Sequence, residues 1–189
     1  MRYPPPDTLK TITPAASEPV TLEEAKAQIG LMSDQTDHDA LLAGQISTAR
    51  RLVETRLGIT LPPTEYRATW KAAPAVLRLP SPPLLTGSAY PVTVTADGEE
   101  LVEGDDYELD ADAVQGTIEL TSGVGQKVVV AYWGGVDDGD PIDPMLRSAI
   151  LAYIDHQFNN RGILATDSAV ELPQAFETLL AASSWNGGW

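Results

Sequence analysis

The sequence predicts an α+β protein: a small helical bundle with an inserted antiparallel β-sheet or barrel. Three observations carry this reading. Residues 37–57 place Leu42, Ile46, Ala49, Val53 and Leu57 at helical spacings of four, three, four and four. Asp143-Pro144 opens a later apolar-faced helix that has no partner beside it in the chain and must pack on the early one. Between Pro62 and Pro141 the apolar period falls to two. The boundaries that follow are an extended arm at 1–20, a bundle from 21–61 and 142–181, a β insertion at 62–141 and a flexible tail at 182–189.

Residues 1–20 hold five prolines and no helical or strand periodicity, which predicts an arm that becomes ordered only against something else. Thr21 opens a short helix, with Glu24 at the spacing of a capping box. Leu22, Ala25 and Ile29 form its apolar face, and Gly30 ends it. The next helix starts at Thr36 or Asp37 and carries Asp39 in its first turn. Its polar side pairs Arg50 with Glu54, Arg56 suits its negative C-terminal end, and Gly58 can adopt the left-handed cap. Gly44 in mid-helix costs about 1 kcal/mol relative to Ala, which points to close approach of another backbone as compensation.

Strands are expected at Tyr66–Trp70, Val76–Leu79, Val92–Ala96, 107–110, 116–120 and 127–133, the last being the most apolar. Asp97-Gly98 is the two-residue type I′ hairpin signal, because both central positions need positive φ. Gly123-Val124-Gly125 reads as a hairpin turn. The late helix buries Leu146, Ile150, Tyr153 or Ile154, and Phe158, and ends at Arg161-Gly162. A last short helix begins at Pro173 and uses Phe176, Leu179 and Leu180.

Composition removes several functional classes. The chain has 189 residues, a formal net charge of −15, no cysteine and only two histidines, His38 and His156. Disulfides and thiolate zinc sites are excluded, and a DNA-gripping surface is opposed by the charge. No apolar run reaches membrane-spanning length, and Met1-Arg2-Tyr3-Pro4-Pro5-Pro6 lacks a secretory apolar stretch, so synthesis and use in the cytosol are expected. No Gly-x-Ser-x-Gly elbow and no Gly-x-x-x-x-Gly-Lys phosphate loop occurs. The two histidines lack an acid–nucleophile setting and are read as packing or surface residues. No catalytic, cofactor-binding or metal-binding residue is therefore expected.

Residues 97–112 contain nine acids and no Lys or Arg. The plain reading is a solvated hairpin edge that discourages unwanted pairing. The functional alternative displays Glu99, Glu100, Glu103, Asp105 and Asp106 to passing DNA or to a basic partner. Calcium is disfavoured because the Asp-x-Asp-x-Asp-Gly spacing is absent. Asp137-Asp138-Gly139-Asp140 is explained by turn chemistry. Trp185 and Trp189, flanked by glycines in the tail, are either a disordered end or anchors for a pocket on another protein.

Leu22-Glu23-Glu24-Ala25-Lys26, Asp37-His38-Asp39-Ala40-Leu41-Leu42 and Ala49-Arg50-Arg51-Leu52-Val53-Glu54-Thr55-Arg56-Leu57-Gly58 together resemble the head–tail connector (adaptor) family of tailed bacteriophages and gene transfer agents. Tyr107-Glu108-Leu109, Gly116-Thr117-Ile118, Val128 to Tyr132, Gly134-Gly135, Ile142 to Arg147 and Leu172-Pro173 are similar to the subgroup with a β insertion. The order of these motifs over about residues 20–181 is specific; each alone is common. The end departs from the pattern, with Ala181-Ala182-Ser183-Ser184-Trp185 in place of a basic finish.

The resemblance implies a dodecameric ring at the head–tail junction of the virion, assembled in the host cytoplasm. Its partners would be further copies of itself, the portal protein above and the next tail component, a stopper or tail terminator, below. DNA would pass through the lumen without specific binding, and no membrane, cofactor or catalysis is involved. The alternatives are a stopper or tail-terminator ring of the same particle, or a soluble β-insertion module that binds a carbohydrate or peptide.

Overall fold

The computed structural model describes residues 3–111, 115–137, 142–160 and 173–183. The elements run β1 (Thr8–Thr13), α1 (Leu22–Gln28), α2 (Asp39–Leu57), β2 (Thr64–Trp70), β3 (Val76–Arg78), β4 (Leu84–Leu85), β5 (Thr93–Ala96), β6 (Glu99–Glu100), β7 (Tyr107–Asp110), β8 (Thr117–Leu120), β9 (Val128–Gly134), α3 (Pro144–Asn159) and α4 (Gln174–Ala182). The fold class is α+β, as expected. The chain divides into two compact units: a sheet unit of Met1–Ser17 and Gly58–Asp140, and a helical unit of Glu18–Leu57 and Pro141–Trp189.

In the helical unit, α1 opens on a complete capping box. Glu24 N donates to the Thr21 hydroxyl at 3.2 Å, and Thr21 N donates to the Glu24 carboxylate at 2.8 Å. Gly30 turns the chain at φ 75°, and Leu31 N closes back onto Lys26 O at 2.9 Å. Lys26, only 3% exposed, directs its amine to Asp39 at 2.6 Å and to the Ser33 carbonyl at 3.2 Å, tying α1 to the first turn of α2. That turn starts two or three residues later than Thr36 or Asp37, because residues 36–39 first form a tight turn with Asp39 N on Thr36 O at 3.1 Å.

The stripe Leu42, Ile46, Ala49 and Val53 is buried, as the spacing demands. Gly44 corrects the expectation placed on it: a Cβ there would meet nothing within 4 Å, so no backbone approaches among the described residues. Its carbonyl instead accepts from the Thr48 and Ser47 hydroxyls at 2.8 and 3.2 Å.

Asp143 caps α3 by accepting from Met145 N at 2.8 Å, with Pro144 at the first helical position. Leu146, Ala149, Ile150 and Ile154 are buried and pack α3 against α1, α2 and α4. Each large side chain so buried contributes about 1.5–3 kcal/mol, which is why two helices distant in sequence close on one another. Phe158 is half-buried and meets the His38 ring edge-on, centroids 5.3 Å apart. Arg161-Gly162 lies outside the described residues. Phe176 and Leu180 bury the inner face of α4, and Leu179 is half-buried.

Glu24 also pairs with Arg147 of α3. The Thr21 backbone N–H is the main cause holding its carboxyl below the usual range; burial opposes it, and the Thr21 hydroxyl and Arg147 assist. Because the folded value lies below the unfolded 4.5, the stabilisation is present above that pH and is lost as pH falls through the folded value. Glu24→Gln should therefore flatten the acid limb of a melting-temperature profile below about pH 4.5 and cost under about 1 kcal/mol near neutrality, since the group is well exposed.

In the sheet unit, the larger sheet runs β1-β2-β9-β5-β6, with β4 also on β9, and the smaller runs β3-β8-β7. The strand pairs among the described residues are all antiparallel. The expected "sheet or barrel" is thus two open sheets sharing one core, in which Trp70, Val94, Val130 and Tyr132 of the larger meet Leu77, Tyr107, Ile118 and Leu120 of the smaller. Strand β9, the most apolar in sequence, sits centrally and pairs with β2, β5 and β4. The Asp97-Gly98 hairpin forms as expected, with φ 48° and 96°.

Two readings change. Residues 8–13, expected within an arm that lacks strand periodicity, are ordered against β2 of the same chain as its edge partner. All six are exposed, so nothing imposes an apolar alternation on them. Gly123-Val124-Gly125 is no hairpin between paired strands; it carries the chain from β8 in one sheet to β9 in the other. Gly135 is required by both conformation and space, with φ 127° and a Cβ site 2.5 Å from the Pro62 carbonyl oxygen. Gly135→Ala should cost roughly 2–4 kcal/mol, read as a lower denaturation midpoint, because backbone rather than a flexible side chain must yield.

Candidate interaction surfaces

The acidic run forms one end of the larger sheet and the turn beyond it. Glu99 and Glu100 occupy β6, where Glu100 stands opposite Thr95. From there Leu101 N bonds Val94 O at 2.9 Å, and Gly104 N bonds Tyr107 O at 2.8 Å, folding residues 101–107 into a tight loop. Asp106 organises that loop: its carboxylate accepts from Val102 N at 3.0 Å and its carbonyl from Thr121 N and Ser122 N at 2.8 and 2.9 Å. The Val102 N–H and then the Ser122 hydroxyl hold its carboxyl below the ordinary range. Asp106 is therefore half-buried and internally employed, whereas Glu99, Glu100, Glu103 and Asp105 are exposed and form no ion pair among the described residues. Burial, then the charges of Glu103 and Glu100, push the Tyr107 phenol up, which places those carboxylates near it. Val102 projects from the same loop, 57% exposed.

A second surface was not foreseen. The outward face of the larger sheet is a concavity of about 620 Å³ lined by Lys10, Arg67, Lys71 and Lys127 among threonines and small apolar residues. Register sets this out in rows: Lys10 opposite Arg67 opposite Ala131 opposite Thr93, and Thr8 opposite Thr69 opposite Val129 opposite Thr95. Among the described residues no carboxylate lines it. Asp7, Asp97 and Glu100 border it: Asp7 accepts from Lys71 N at 2.7 Å, Asp97 accepts from Lys127 N at 3.3 Å, and Glu100 stands opposite Thr95. The bases come from three separate stretches of chain: Lys10 on β1, Arg67 on β2 with Lys71 just after it, and Lys127 just before β9. The legible signal was the alternation Tyr66-Arg67-Ala68, which turns Arg67 away from the core.

Other bases are spent inside the helical unit. Arg50 contacts Glu18 at 2.7 Å and Glu54 at 2.9 Å, Arg56 contacts Glu177 at 3.1 Å, and Arg147 holds Glu24 while also donating to Pro19 O at 3.0 Å. Burial opposes the Arg50 charge, but Glu18 and Glu54 outweigh it and raise its pKa. His156 lies 3.3 Å from the Asn160 side chain. Among the described residues no group of three or more His, Asp or Glu could hold a metal, and no helix is long and apolar enough to cross a membrane. Trp185, Trp189, Asp112 and Asp138-Gly139-Asp140 lie outside the described residues.

The profile of the phage gp6-like head-tail connector protein family matches residues 19–79, which contain α1, α2, β2 and β3. A comparison with curated proteins finds no match. Among solved structures, a chain in the neck of an empty GTA particle, computed with sixfold symmetry, superposes with a TM-score of 0.70 at 19% identity, covering 92% of this chain and 93% of that one. A chain in the virion of a native gene transfer agent (GTA) particle gives 0.68 at 19% identity, with the same coverage of 92% and 93%. One in the neck of a native GTA particle, computed with twelvefold symmetry, gives 0.64 at 18% identity, again over 92% and 93%. Over residues 19–79 the chain matches the phage gp6-like head-tail connector family, and over nearly its whole length it has a fold found in the neck of gene transfer agent particles.

Proposed function

We infer that the protein is a structural head–tail adaptor: a ring, dodecameric by the resemblance, that docks beneath the capsid portal and joins it to the next tail component around a lumen for DNA. The observation that carries this reading is the shared fold across 92% of the chain with a neck protein of an assembled particle, together with the connector-family match in the first two helices. The surfaces suit such a role. A net charge of −15 gives passing DNA little to grip, and no constellation among the described residues suggests catalysis. Negative-stain imaging of the full chain, alone and with portal rings, should show rings docked on the portal; isolated monomers under both conditions would reject the reading.

Trp185 and Trp189 are the proposed portal anchors, because indoles frequently dominate interfaces. Deleting residues 183–189 should weaken portal binding. Unchanged binding would remove the anchor while leaving the adaptor reading intact.

A further inference from the structure

We propose that the basic face of the larger sheet is the docking site for the acidic end of the same sheet on a neighbouring copy, so that adjacent subunits pair Lys10, Arg67, Lys71 and Lys127 with Glu99, Glu100, Glu103 and Asp105. This deepens the adaptor reading and rests on it, since it names the contact by which one copy recognises the next.

The first observation is a charge arrangement that a lone chain does not satisfy. Lys10 lies directly opposite Arg67 across the β1–β2 pair, and like charges in that position repel. All four bases on this face are exposed, and none is in an ion pair among the described residues. Net charge sharpens the contrast. In a chain of −15 with only twelve Lys and Arg, four of them stand together without a carboxylate lining the same concavity.

The second observation is polarity across the sheet. In the order β1-β2-β9-β5-β6, Lys10, Arg67 and Lys71 lie on or beside β1 and β2 and Lys127 at the start of the central β9, while the exposed acids begin at β6. Four inter-strand spacings separate the outermost strands, about 19 Å. A surface basic at one end and acidic at the other is complementary to a translated or rotated copy of itself. Such a contact is head-to-tail, and repetition of it closes into a ring when the rotation allows.

Apolar exposure follows the same two ends. On β1, Leu9 is 41% and Ile12 40% exposed, and Val102 is 57% exposed within the acidic loop. An edge strand that carries uncovered apolar side chains is a pairing site unless something blunts it. Charge complementarity with apolar cover on both sides therefore favours a second copy over DNA, for which four bases on so acidic a chain offer few phosphate contacts and nothing apolar to match.

The test uses the full chain in its assembled form, free or on portal rings. A mixture of ordinary and heavy-nitrogen-labelled protein is treated with a carbodiimide, which joins a lysine amine directly to a carboxylate. Mixed-label peptides linking Lys10, Lys71 or Lys127 to Glu99, Glu100, Glu103 or Asp105 are expected. In parallel, one variant combines Lys10→Glu with Arg67→Glu and a second combines Glu100→Lys, Glu103→Lys and Asp105→Lys. All five positions are exposed, so both should fold, which circular dichroism checks. Each alone should lose about tenfold or more in assembly affinity, and a one-to-one mixture should recover it, because unaltered acid then meets unaltered base and reversed meets reversed. Wild-type rings that tolerate either reversal, or a mixture that fails to recover, overturn this contact and leave the adaptor reading standing. A wild-type chain that makes no ring, alone or on the portal, sinks the adaptor reading and the contact with it. Duplex DNA binding abolished by Lys10→Glu with Arg67→Glu, with ring assembly unchanged, would assign the face to DNA instead.

Discussion

Trp70→Ala is expected to destabilise the sheet unit by about 3–5 kcal/mol. The indole is 2% exposed and belongs to the core that both sheets share. It sits on β2 opposite Val128 of β9, so its loss opens a cavity between the central strands of one sheet and the facing sheet. The residual structure cannot close over the void without moving β9, which three other strands hold in place. Against a typical total stability of about 5–15 kcal/mol, this is a large fraction. Denaturant unfolding of the full chain should show a lower midpoint, and hydrogen exchange should speed up at β2 and β9. Trp70→Phe, which keeps most of the volume, should recover the greater part of the loss. A midpoint unchanged by Trp70→Ala would mean the two sheets are not held by the core described here.

Phe176→Ala should act on the other unit by a different route. The ring is 0% exposed and packs near Tyr153 of α3, centroids 5.9 Å apart. Helix α4 has only nine residues and no side-chain hydrogen bond at its N-cap. Isolated helices of that length are marginal in water, so tertiary packing must supply the stability of α4. Removing the largest buried group should cost about 3–5 kcal/mol if α4 and the bundle unfold together. If α4 detaches alone, the cost is capped at its own docking energy, and exchange protection should vanish from 174–182 while α2 and α3 keep theirs. Either result confirms the anchor; full protection of α4 in the variant would refute it.

Much of this architecture was readable residue by residue. Thr21 and Glu24, Asp143 and Pro144, and Asp97-Gly98 each form what their chemistry prescribes, because a cap or a two-residue turn is decided by groups within four residues of one another. The stripe from Leu42 to Val53 and the alternation in Val92–Ala96 were equally plain, since each repeats the period of its own backbone. The expectation at Gly44 failed because its Cβ position faces open space, and no close backbone offsets the helical glycine among the described residues. The acidic candidates were visible as a run, but the internal bonding of Asp106 was not, since Thr121 and Ser122 come from beyond the next strand.

The sequence by itself determined the four helices, most of the strands, their caps and the acidic character of residues 97–110, because these depend on local geometry and composition. Tertiary structure alone decided that β1 joins the larger sheet, that β8 and β9 part into different sheets, and that Lys10, Arg67, Lys71 and Lys127 share one face. Strand pairing is settled by which distant apolar faces can be buried together, and its register then carries every outward side chain to its place. A patch built from cations on three separate stretches of chain has no local signature, so it exists only once that long-range choice is made.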